Sequence, residues 1–318
     1  MLLFSNAGRV IRSSTSIVVI VVALSSCATL APDVLDGTLA RGFTSARHVR
    51  MGDWERDYLL HVPRQSPTNI LGRARRFPLL IVLHGSGATG ETVREQSGMD
   101  SVAEAHRFLA AYPDASGELF GLSSDWNAGE CCGGAHLDQV NDVAFLRAII
   151  ADVSSRLPVD PRRIYIAGFS DGARMAYRAG CEMASEVAAI AAVAGNLVAA
   201  RCIPARQLPV IAFHGTADHE VPYNASAYTP PARPVPAEAR DLPPSVRFWM
   251  ATDGCRNAEE FRIAPHVIKS EGVHCGADVV FYTLEGAGHR WPVDHSGRSA
   301  DEISASSLIA DFFMQHAM

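Results

Sequence analysis

The chain has 318 residues, of which 48% are hydrophobic and 19% are charged, and its formal net charge is −6. This composition predicts a compact globular protein with a full core and argues against a disordered chain. The mild negative charge, without a run of basic residues, gives no support for a nucleic-acid partner.

The first segment has the pattern of an export signal. Two arginines precede an uncharged apolar stretch, residues 17–24, which is too short to span a membrane as a helix. The sequence LSSC at residues 24–27 resembles the lipobox of bacterial lipoproteins, in which the cysteine is lipidated and becomes the mature N-terminus. Ala28 follows, where an aspartate would signal inner-membrane retention, so the outer membrane is favoured in a Gram-negative host. The alternative is an ordinary signal peptide, with Cys27 incidental.

The chain contains seven cysteines, an odd number for an exported protein, in which thiols tend to pair. The six that remain if Cys27 carries lipid are Cys131, Cys132, Cys181, Cys202, Cys255 and Cys275. We expect Cys255 and Cys275 to close a local loop. The adjacent cysteines at 131 and 132 would then bond to Cys181 and Cys202, in an order that the sequence leaves open. A bridge between the two adjacent cysteines ranks lower because it would be strained.

We expect a signal peptide over residues 1–26, a lipidated N-terminus and tether over 27–47, and one catalytic domain over 48–318. Beyond the tether, apolar runs alternate with segments of helical periodicity, which predicts an α/β fold with a mostly parallel sheet flanked by helices. The predicted strands are RDYLLHVP, FPLLIVLHG, HRFLAAYPD, RIYIAGFS, AAIAAVAG, PVIAFHGTAD and VVFYTLEG. The predicted helices are DVAFLRAIIADVSSRL, DGARMAYRAGCEMA and ADEISASSLIADFFMQHAM. A proline-rich stretch, residues 223–244, is predicted to be a surface excursion.

Ser170 lies between two glycines, in the sequence GFSDG, after an apolar strand and before a helical segment. A tight turn can contain a serine by chance, and the GxSxG pattern alone is common. The strand and helix on either side, however, are what the nucleophile elbow of an α/β-hydrolase requires. We therefore interpret Ser170 as a candidate nucleophile.

A serine hydroxyl needs a base, and the base needs an orienting carboxylate, in the chain order serine, acid, histidine. Asp218 closes the predicted strand PVIAFHGTAD, although an aspartate there could simply cap a turn. His289 follows VVFYTLE in a glycine-rich loop, and an exposed loop histidine is the alternative interpretation. The rival acids, none of which directly follows an apolar strand, are Asp241, Asp253 and Asp294, and the rival base is His295.

The oxyanion of a tetrahedral intermediate needs two backbone N–H donors. One is expected from Asp171, which follows the nucleophile, and the other from Ser86, in the loop LHGSG. His84, in the same loop, is expected to brace it by hydrogen bonding. No metal site and no cofactor are expected, since the histidines are scattered and neither a dinucleotide fingerprint nor a phosphate loop is present.

Together these motifs resemble one family, the polyhydroxybutyrate depolymerase and feruloyl esterase group, which is related to carbohydrate esterase family one. The matching stretches include LLIVLHGSGATG, YPDASG, DWNAGECCGG, VNDVAFLRAIIADV, VDPRRIYIAGFSDGARMAYRAGCE, PVIAFHGTADHEVPY and EGAGHRWP, over roughly residues 78–292. The resemblance implies an α/β-hydrolase fold, hydrolysis of carboxylic esters, and the same triad and oxyanion residues. It also implies that Trp126 and Trp291 lie near the cleft and bind substrate, with core packing as the alternative. Ala173 departs from the family, which often has a second glycine there.

These observations predict an exported serine esterase that acts on soluble aryl or sugar esters, of feruloyl or acetyl type, or on hydroxyalkanoate oligomers. An acyltransferase with the same triad is the first alternative, and a lipid-anchored binding protein on a hydrolase scaffold is the second. We expect a monomer whose partners are its small or oligomeric ester substrate and a membrane, reached through the lipid anchor alone.

Overall fold

The computed structural model describes residues 40–68, 72, 75–116, 124–199, 201–225, 234–293 and 302–318. The predicted signal peptide, Cys27, most of the predicted tether and the rival residues Asp294 and His295 lie outside the described residues. Within these ranges, no helix has both the length and the apolar character needed to cross a bilayer.

Strands and helices alternate through most of the chain. The strands are β1 (Phe43–Met51), β2 (Trp54–Val62), β3 (Phe77–Leu83), β4 (Leu109–Pro113), β5 (Val159–Phe169), β6 (Ala189–Val193), β7 (Val210–Gly215), β8 (Asn257–Ala264), β9 (Val267–Val273) and β10 (Val279–Leu284). The α-helices are α1 (Gly90–Ser97), α2 (Met99–His106), α3 (Gly133–Leu137), α4 (Asp142–Arg156), α5 (Asp171–Glu182), α6 (Pro244–Thr252) and α7 (Ala305–Gln315).

The strands form a single sheet in the order β1-β2-β4-β3-β5-β6-β7-β10-β9-β8. The six central strands, from β4 to β10, run parallel, and an antiparallel pair extends the sheet at each end. All seven residues of β3 are buried, as expected for a strand covered on both faces by helices. Helices α4, α5 and α6 pack against one face, and α1, α2 and α7 pack against the other. The predicted α/β-hydrolase architecture is confirmed.

Each strand and helix predicted from an apolar run is present, but elements with weak patterns were missed. Strand β1 begins at Phe43, inside the predicted tether, and only one of its nine residues is fully buried. It is held by backbone pairing with β2 rather than by a hydrophobic face. Strands β8 and β9 were missed for the same reason. Helix α6 begins at Pro244, where the predicted excursion ends, because proline fits the first turn of a helix.

The structure forms three disulfides within the described residues. The predicted bridge between Cys255 and Cys275 is present. The prediction that Cys131 and Cys132 reach Cys181 and Cys202 is wrong: Cys131 bonds to Cys132, and Cys181 bonds to Cys202. The reason is that the adjacent cysteines and Cys181 lie at different positions along α5. The sulfurs of the adjacent pair contact Arg174, which precedes Cys181 by seven residues, or about 10 Å of helix.

Candidate active site

Four loops meet at one edge of the sheet. Because β3, β5, β7 and β10 run parallel, their carboxyl ends lie at the same edge, where α/β folds bind ligands. The loop after β3 carries Ser86, the turn after β5 carries Ser170, and the loops after β7 and β10 carry Asp218 and His289. The topology therefore brings together residues that are up to 203 positions apart in the sequence.

Ser170 occupies a sharp turn between β5 and α5. Its φ of 54° and ψ of −114° are unfavourable for a residue with a side chain, and such strain is typical of a nucleophile elbow. The elbow fits against β3 only because residue 172 is glycine, since a Cβ there would lie 2.3 Å from the carbonyl oxygen of Leu83. The methyl group of Ala173, the departure from the family pattern, is buried against Gly195, where a Cβ would lie only 2.5 Å away.

Ser170, His289 and Asp218 form a continuous chain of hydrogen bonds. Nε2 of His289 is 2.8 Å from Oγ of Ser170, and Nδ1 of His289 is 2.8 Å from Oδ2 of Asp218. With the proton on Nδ1, the imidazole donates to the carboxylate and accepts from the serine hydroxyl. This geometry allows His289 to remove the serine proton, which is the arrangement of a hydrolytic triad. Among the described residues, no hydrogen bond or ion pair joins His289 to the rival acids Asp241 and Asp253.

Several donors hold the Asp218 carboxylate in its ionised form. Besides His289, the backbone N–H groups of Glu220 and Val221 donate to Oδ1 at 3.0 and 2.9 Å. Burial favours the neutral acid, but the hydrogen bonds from His289 and Val221 outweigh it and keep the pKa of Asp218 below its ordinary value. His214 lies 3.3 Å from Oδ2, and burial lowers its pKa. A neutral His214 can donate from Nε2 to the carbonyl of Val221 at 2.8 Å, which holds the same turn.

Both residues expected to supply the oxyanion donors belong to segments that adjoin Ser170. Asp171 is the first residue of α5, so its backbone N–H has no acceptor within the helix. The loop of Ser86 approaches from β3 so closely that a Cβ on Gly85 would lie 3.2 Å from Cβ of Ser170. His84 braces this loop as expected, with Nδ1 bonded to the carbonyl of Gly85 and Nε2 accepting from the N–H of Ala115.

Comparison with known proteins agrees with this geometry. The phospholipase and carboxylesterase family matches residues 141–232. A protein named "Putative esterase NocK" from Nocardia uniformis subsp. tsuyamanensis is 31% identical over 270 residues, which cover 80% of this chain and 76% of that protein. Feruloyl esterase B of Piromyces equi is 31% identical over 218 residues, which cover 67% of this chain and 39% of that protein. This chain belongs to the same family of α/β-hydrolase esterases as the NocK protein. It is a carboxylic ester hydrolase.

Solved structures share the fold of this esterase. Acetyl xylan esterase from Aspergillus awamori superposes with a TM-score of 0.59 at 13% identity, over 85% of this chain and 99% of that one. The feruloyl esterase module from Clostridium thermocellum superposes with a TM-score of 0.52 at 12% identity, over 86% of this chain and 87% of that one. At such low identity, these likenesses establish the α/β-hydrolase fold alone.

The sequence interpretation missed Asp125, which braces the Ser86 loop of the esterase. Oγ of Ser86 donates to Oδ1 of Asp125, and the N–H of Gly87 donates to the carbonyl of Ser124 at 2.9 Å. The neighbouring Trp126 uses its backbone N–H, at 2.8 Å, to bond the carboxylate of Asp171. Residues 124–126 therefore hold both residues whose N–H groups are expected to form the oxyanion hole. The motif DWNAGECCGG contains this aspartate, but no spacing rule identifies its partner.

Neither tryptophan implied by the resemblance lines the cleft of the esterase. Trp126 is 0% exposed, and its indole N–H donates to the carbonyl of His84 at 2.9 Å. Trp291 is 2% exposed, and its indole N–H donates to Oγ of Ser306 at 2.9 Å. Both rings pack in the core, so the substrate-binding interpretation is wrong and the core-packing alternative holds. Burial of an indole is set by the fold, which a sequence motif does not report.

The disulfide between Cys131 and Cys132 lies beside the start of α5. The guanidinium of Arg174 is 3.2 Å from both sulfurs and also donates to Oδ1 of Asn196 at 3.1 Å. A ligand atom from each of Cys131, Cys132 and Asp171 falls within 4.8 Å of the others. This grouping could hold a metal ion only with the cysteines reduced, because thiolates, and not disulfide sulfurs, are metal ligands.

Proposed function

We propose that this protein is an exported serine esterase that forms an acyl-enzyme on Ser170 and hydrolyses soluble feruloyl or acetyl esters of sugars. The observation that carries the proposal is the unbroken chain of two 2.8 Å hydrogen bonds from Asp218 through His289 to Ser170. Relatives named feruloyl esterase and acetylxylan esterase support this substrate class. Hydroxyalkanoate oligomers are the second substrate class for the same site.

The geometry supports a two-step acyl transfer. Oγ of Ser170 attacks the ester carbonyl carbon while its proton moves to Nε2 of His289. The carbonyl oxygen takes the displaced electron pair, and the N–H groups of Ser86 and Asp171 stabilise the resulting oxyanion. The bond to the alcohol oxygen then breaks, and this oxygen takes the proton from His289. The acyl group remains on Ser170. Water then attacks the acyl carbon while its proton moves to Nε2 of His289, the bond to Oγ of Ser170 breaks, and Oγ takes the proton from His289 as the acid leaves.

Throughout this cycle, Asp218 keeps His289 in the productive tautomer. Its carboxylate accepts from Nδ1, so the lone pair of Nε2 faces Ser170. When His289 carries the serine proton, the adjacent carboxylate stabilises the imidazolium. The depressed pKa of Asp218 means that this carboxylate stays ionised throughout the neutral range.

We further propose that the esterase is a monomer anchored in the cell envelope by lipid on Cys27. Support comes from the sequence around Cys27 and from three disulfides, which are favoured outside the reducing cytosol. Radiolabelled palmitate should be incorporated into the wild-type protein in a bacterial host. A Cys27→Ala variant that incorporates as much label would contradict lipidation at this position.

The experiment that tests the function compares Ser170→Ala with the control Ser185→Ala, which changes an exposed serine in the loop after α5. Methyl ferulate, p-nitrophenyl acetate and a hydroxybutyrate oligomer would be the substrates. We expect Ser170→Ala to lose at least about 10³-fold in kcat/KM, and the control to stay within about twofold. Undiminished hydrolysis by Ser170→Ala would refute the proposal. Product analysis with an added sugar acceptor would separate hydrolysis from acyl transfer.

A further inference from the structure

A groove with a cavity volume of about 540 Å³ lies beyond the catalytic residues, between the start of β2 and the segment that follows α3. We call it the Trp54 groove, and the residues that define it are Trp54, Asp57, Thr89, Asp114, Ser124 and Asp138. Two of these residues connect it to the active site. Thr89 lies in the same loop as Ser86, and Ser124 accepts the hydrogen bond from Gly87.

The topology places this groove on the catalytic edge of the sheet. Strand β4 is parallel to β3 and ends at Pro113, so Asp114 lies at the same edge as Ser86. Strand β2 is antiparallel to β4, with Tyr58 opposite Pro113, so its first residue, Trp54, also lies at this edge. In the order β2-β4-β3-β5, the strand of Trp54 is three strand spacings from the strand that precedes Ser170, or about 14 Å across the sheet.

Trp54 differs from the two tryptophans that sequence resemblance singled out. Its side chain is 62% exposed, whereas Trp126 and Trp291 are buried. An exposed indole beside a cavity offers a flat apolar face for packing together with a polar edge. Isolated exposed aromatics need no explanation, but this one lines a groove that also contains Thr89, from the same loop as Ser86.

The polar lining of the groove is acidic. Asp57 and Asp138 are exposed, and Asp114 uses one oxygen to accept from the N–H of Gly90 at 2.6 Å. Arg56 also lines the groove, but its guanidinium pairs with Asp142 at 2.6 Å. Carboxylates accept hydrogen bonds, so such a lining suits hydroxyl donors and repels anions. A flat apolar face together with several acceptors matches the chemistry of a neutral sugar ring.

We propose that the Trp54 groove binds the neutral oligosaccharide part of the substrate, at a distance from the ester that Ser170 attacks. The inference rests on the proposed function for the position of the ester, but sugar binding can be measured without hydrolysis. A monosaccharide ester would not reach Trp54, whereas an oligosaccharide ester would extend along the catalytic edge to it.

A measurement of oligosaccharide binding tests the proposal directly. Xylohexaose would be titrated calorimetrically into Ser170→Ala protein, with and without Trp54→Ala, and with Phe261→Ala as control. Phe261 is 43% exposed on β8, at the other end of the sheet. We expect Trp54→Ala to weaken binding by about tenfold and the control to leave it unchanged. Absence of binding, or equal binding by the Trp54 variant, would overturn the proposal. Binding of cationic chitosan hexamer in place of xylohexaose would overturn the neutral-sugar assignment.

Kinetics on the Ser170-intact protein separate this proposal from the proposed function. Trp54→Ala should lower kcat/KM about tenfold for a feruloylated tetrasaccharide and leave methyl ferulate hydrolysis within about twofold. Unchanged methyl ferulate hydrolysis also shows that the variant is folded. If the wild type hydrolyses neither ester, the proposed function fails, and the titration still decides the groove. Equal losses on both esters would contradict a sugar-binding role for Trp54.

Discussion

Two buried aspartates next to the serine elbow have opposite electrostatic environments. Asp218 lies in the turn after β7, where donors from His289, Glu220 and Val221 hold its pKa below the ordinary value. Asp171 lies at the start of α5, where burial raises the pKa of its carboxyl to about 7. Oδ2 of Asp171 accepts from the N–H of Trp126, and Oδ1 has no hydrogen-bond partner among the described residues.

The two carboxyl groups differ in the donors and charges that act against burial: Asp218 accepts from His289 and from backbone N–H groups, whereas Asp171 accepts from one N–H and faces the nearby carboxylates of Asp125 and Asp142. The side chains of both aspartates are almost fully buried, and burial alone favours the neutral acid. The donors outweigh burial at Asp218, whereas at Asp171 the single N–H of Trp126 and the charge of Arg174 do not. The charged carboxylate is the one that orients the base, and the carboxyl with the raised pKa braces the oxyanion loop.

The most direct test of the different roles of Asp218 and Asp171 replaces each carboxyl group with an amide. Asp218→Asn should lower kcat by about 10³- to 10⁴-fold, because an amide cannot keep His289 in the productive tautomer. Asp171→Asn, the matched control, should lower kcat by less than about tenfold, because its backbone N–H remains. Steady-state kinetics on p-nitrophenyl acetate would measure both. Similar losses in the two variants would remove the distinction between the aspartates.

The same two variants should change the pH dependence of stability in opposite directions. The raised pKa of Asp171 means that the wild type loses stability as the pH rises from about 4 to about 7. Asp171→Asn removes this loss and should gain up to about 4 kcal/mol relative to wild type by about pH 8. The lowered pKa of Asp218 stabilises the fold at pH values above the ordinary pKa of an aspartate. This stabilisation is lost as the pH falls through the folded-state pKa.

Urea unfolding from about pH 2 to about pH 8 measures the difference in free energy of unfolding between each variant and wild type. Relative to wild type, Asp218→Asn should be least stable at neutral pH and should approach wild type in acid. Difference curves of the same sign for both variants would show that the two carboxyl groups do not titrate as described.

The smallest expected effect concerns the brace at residues 124–126. Asp125→Asn should lower kcat about tenfold and leave KM nearly unchanged, because a loosened Ser86 loop misplaces one oxyanion donor. Ser86→Ala removes the hydroxyl that bonds Asp125 but keeps the N–H. If Asp125 acts through Ser86, the double variant should be no slower than the slower single variant. Additive losses would indicate that Asp125 acts by another route.

Patterned residues made the centre of the molecule predictable. The apolar runs predicted the parallel strands, and chain order with strand context pointed to Ser170, Asp218 and His289, which the structure brings within hydrogen-bond distance. The terminal strands were missed because β1 and β8 are largely exposed and carry no apolar face. Backbone pairing, which leaves little trace in side-chain pattern, holds them in the sheet.

Contacts between segments far apart in the chain could not be predicted either, because they also leave little trace in the local side-chain pattern. The bond from Ser86 to Asp125 spans 39 positions, and nothing in either segment indicates its partner. The cysteine pairing depended on which end of α5 each loop approaches, and the burial of Trp126 depended on packing against His84. Trp54 was not identified from the sequence because it precedes the predicted strand RDYLLHVP by two residues, and its groove exists only once β2 pairs with β4.

The central claim is that Ser170 carries the acyl group during turnover. Mixing the enzyme briefly with p-nitrophenyl acetate, quenching in acid and mapping peptides by mass spectrometry would test it directly. We predict one acetyl group on the peptide that contains Ser170, on Oγ of that serine, and a longer-lived adduct in Asp218→Asn at neutral pH. Acetyl transfer to another residue, or unchanged turnover in Ser170→Ala protein, would contradict the account.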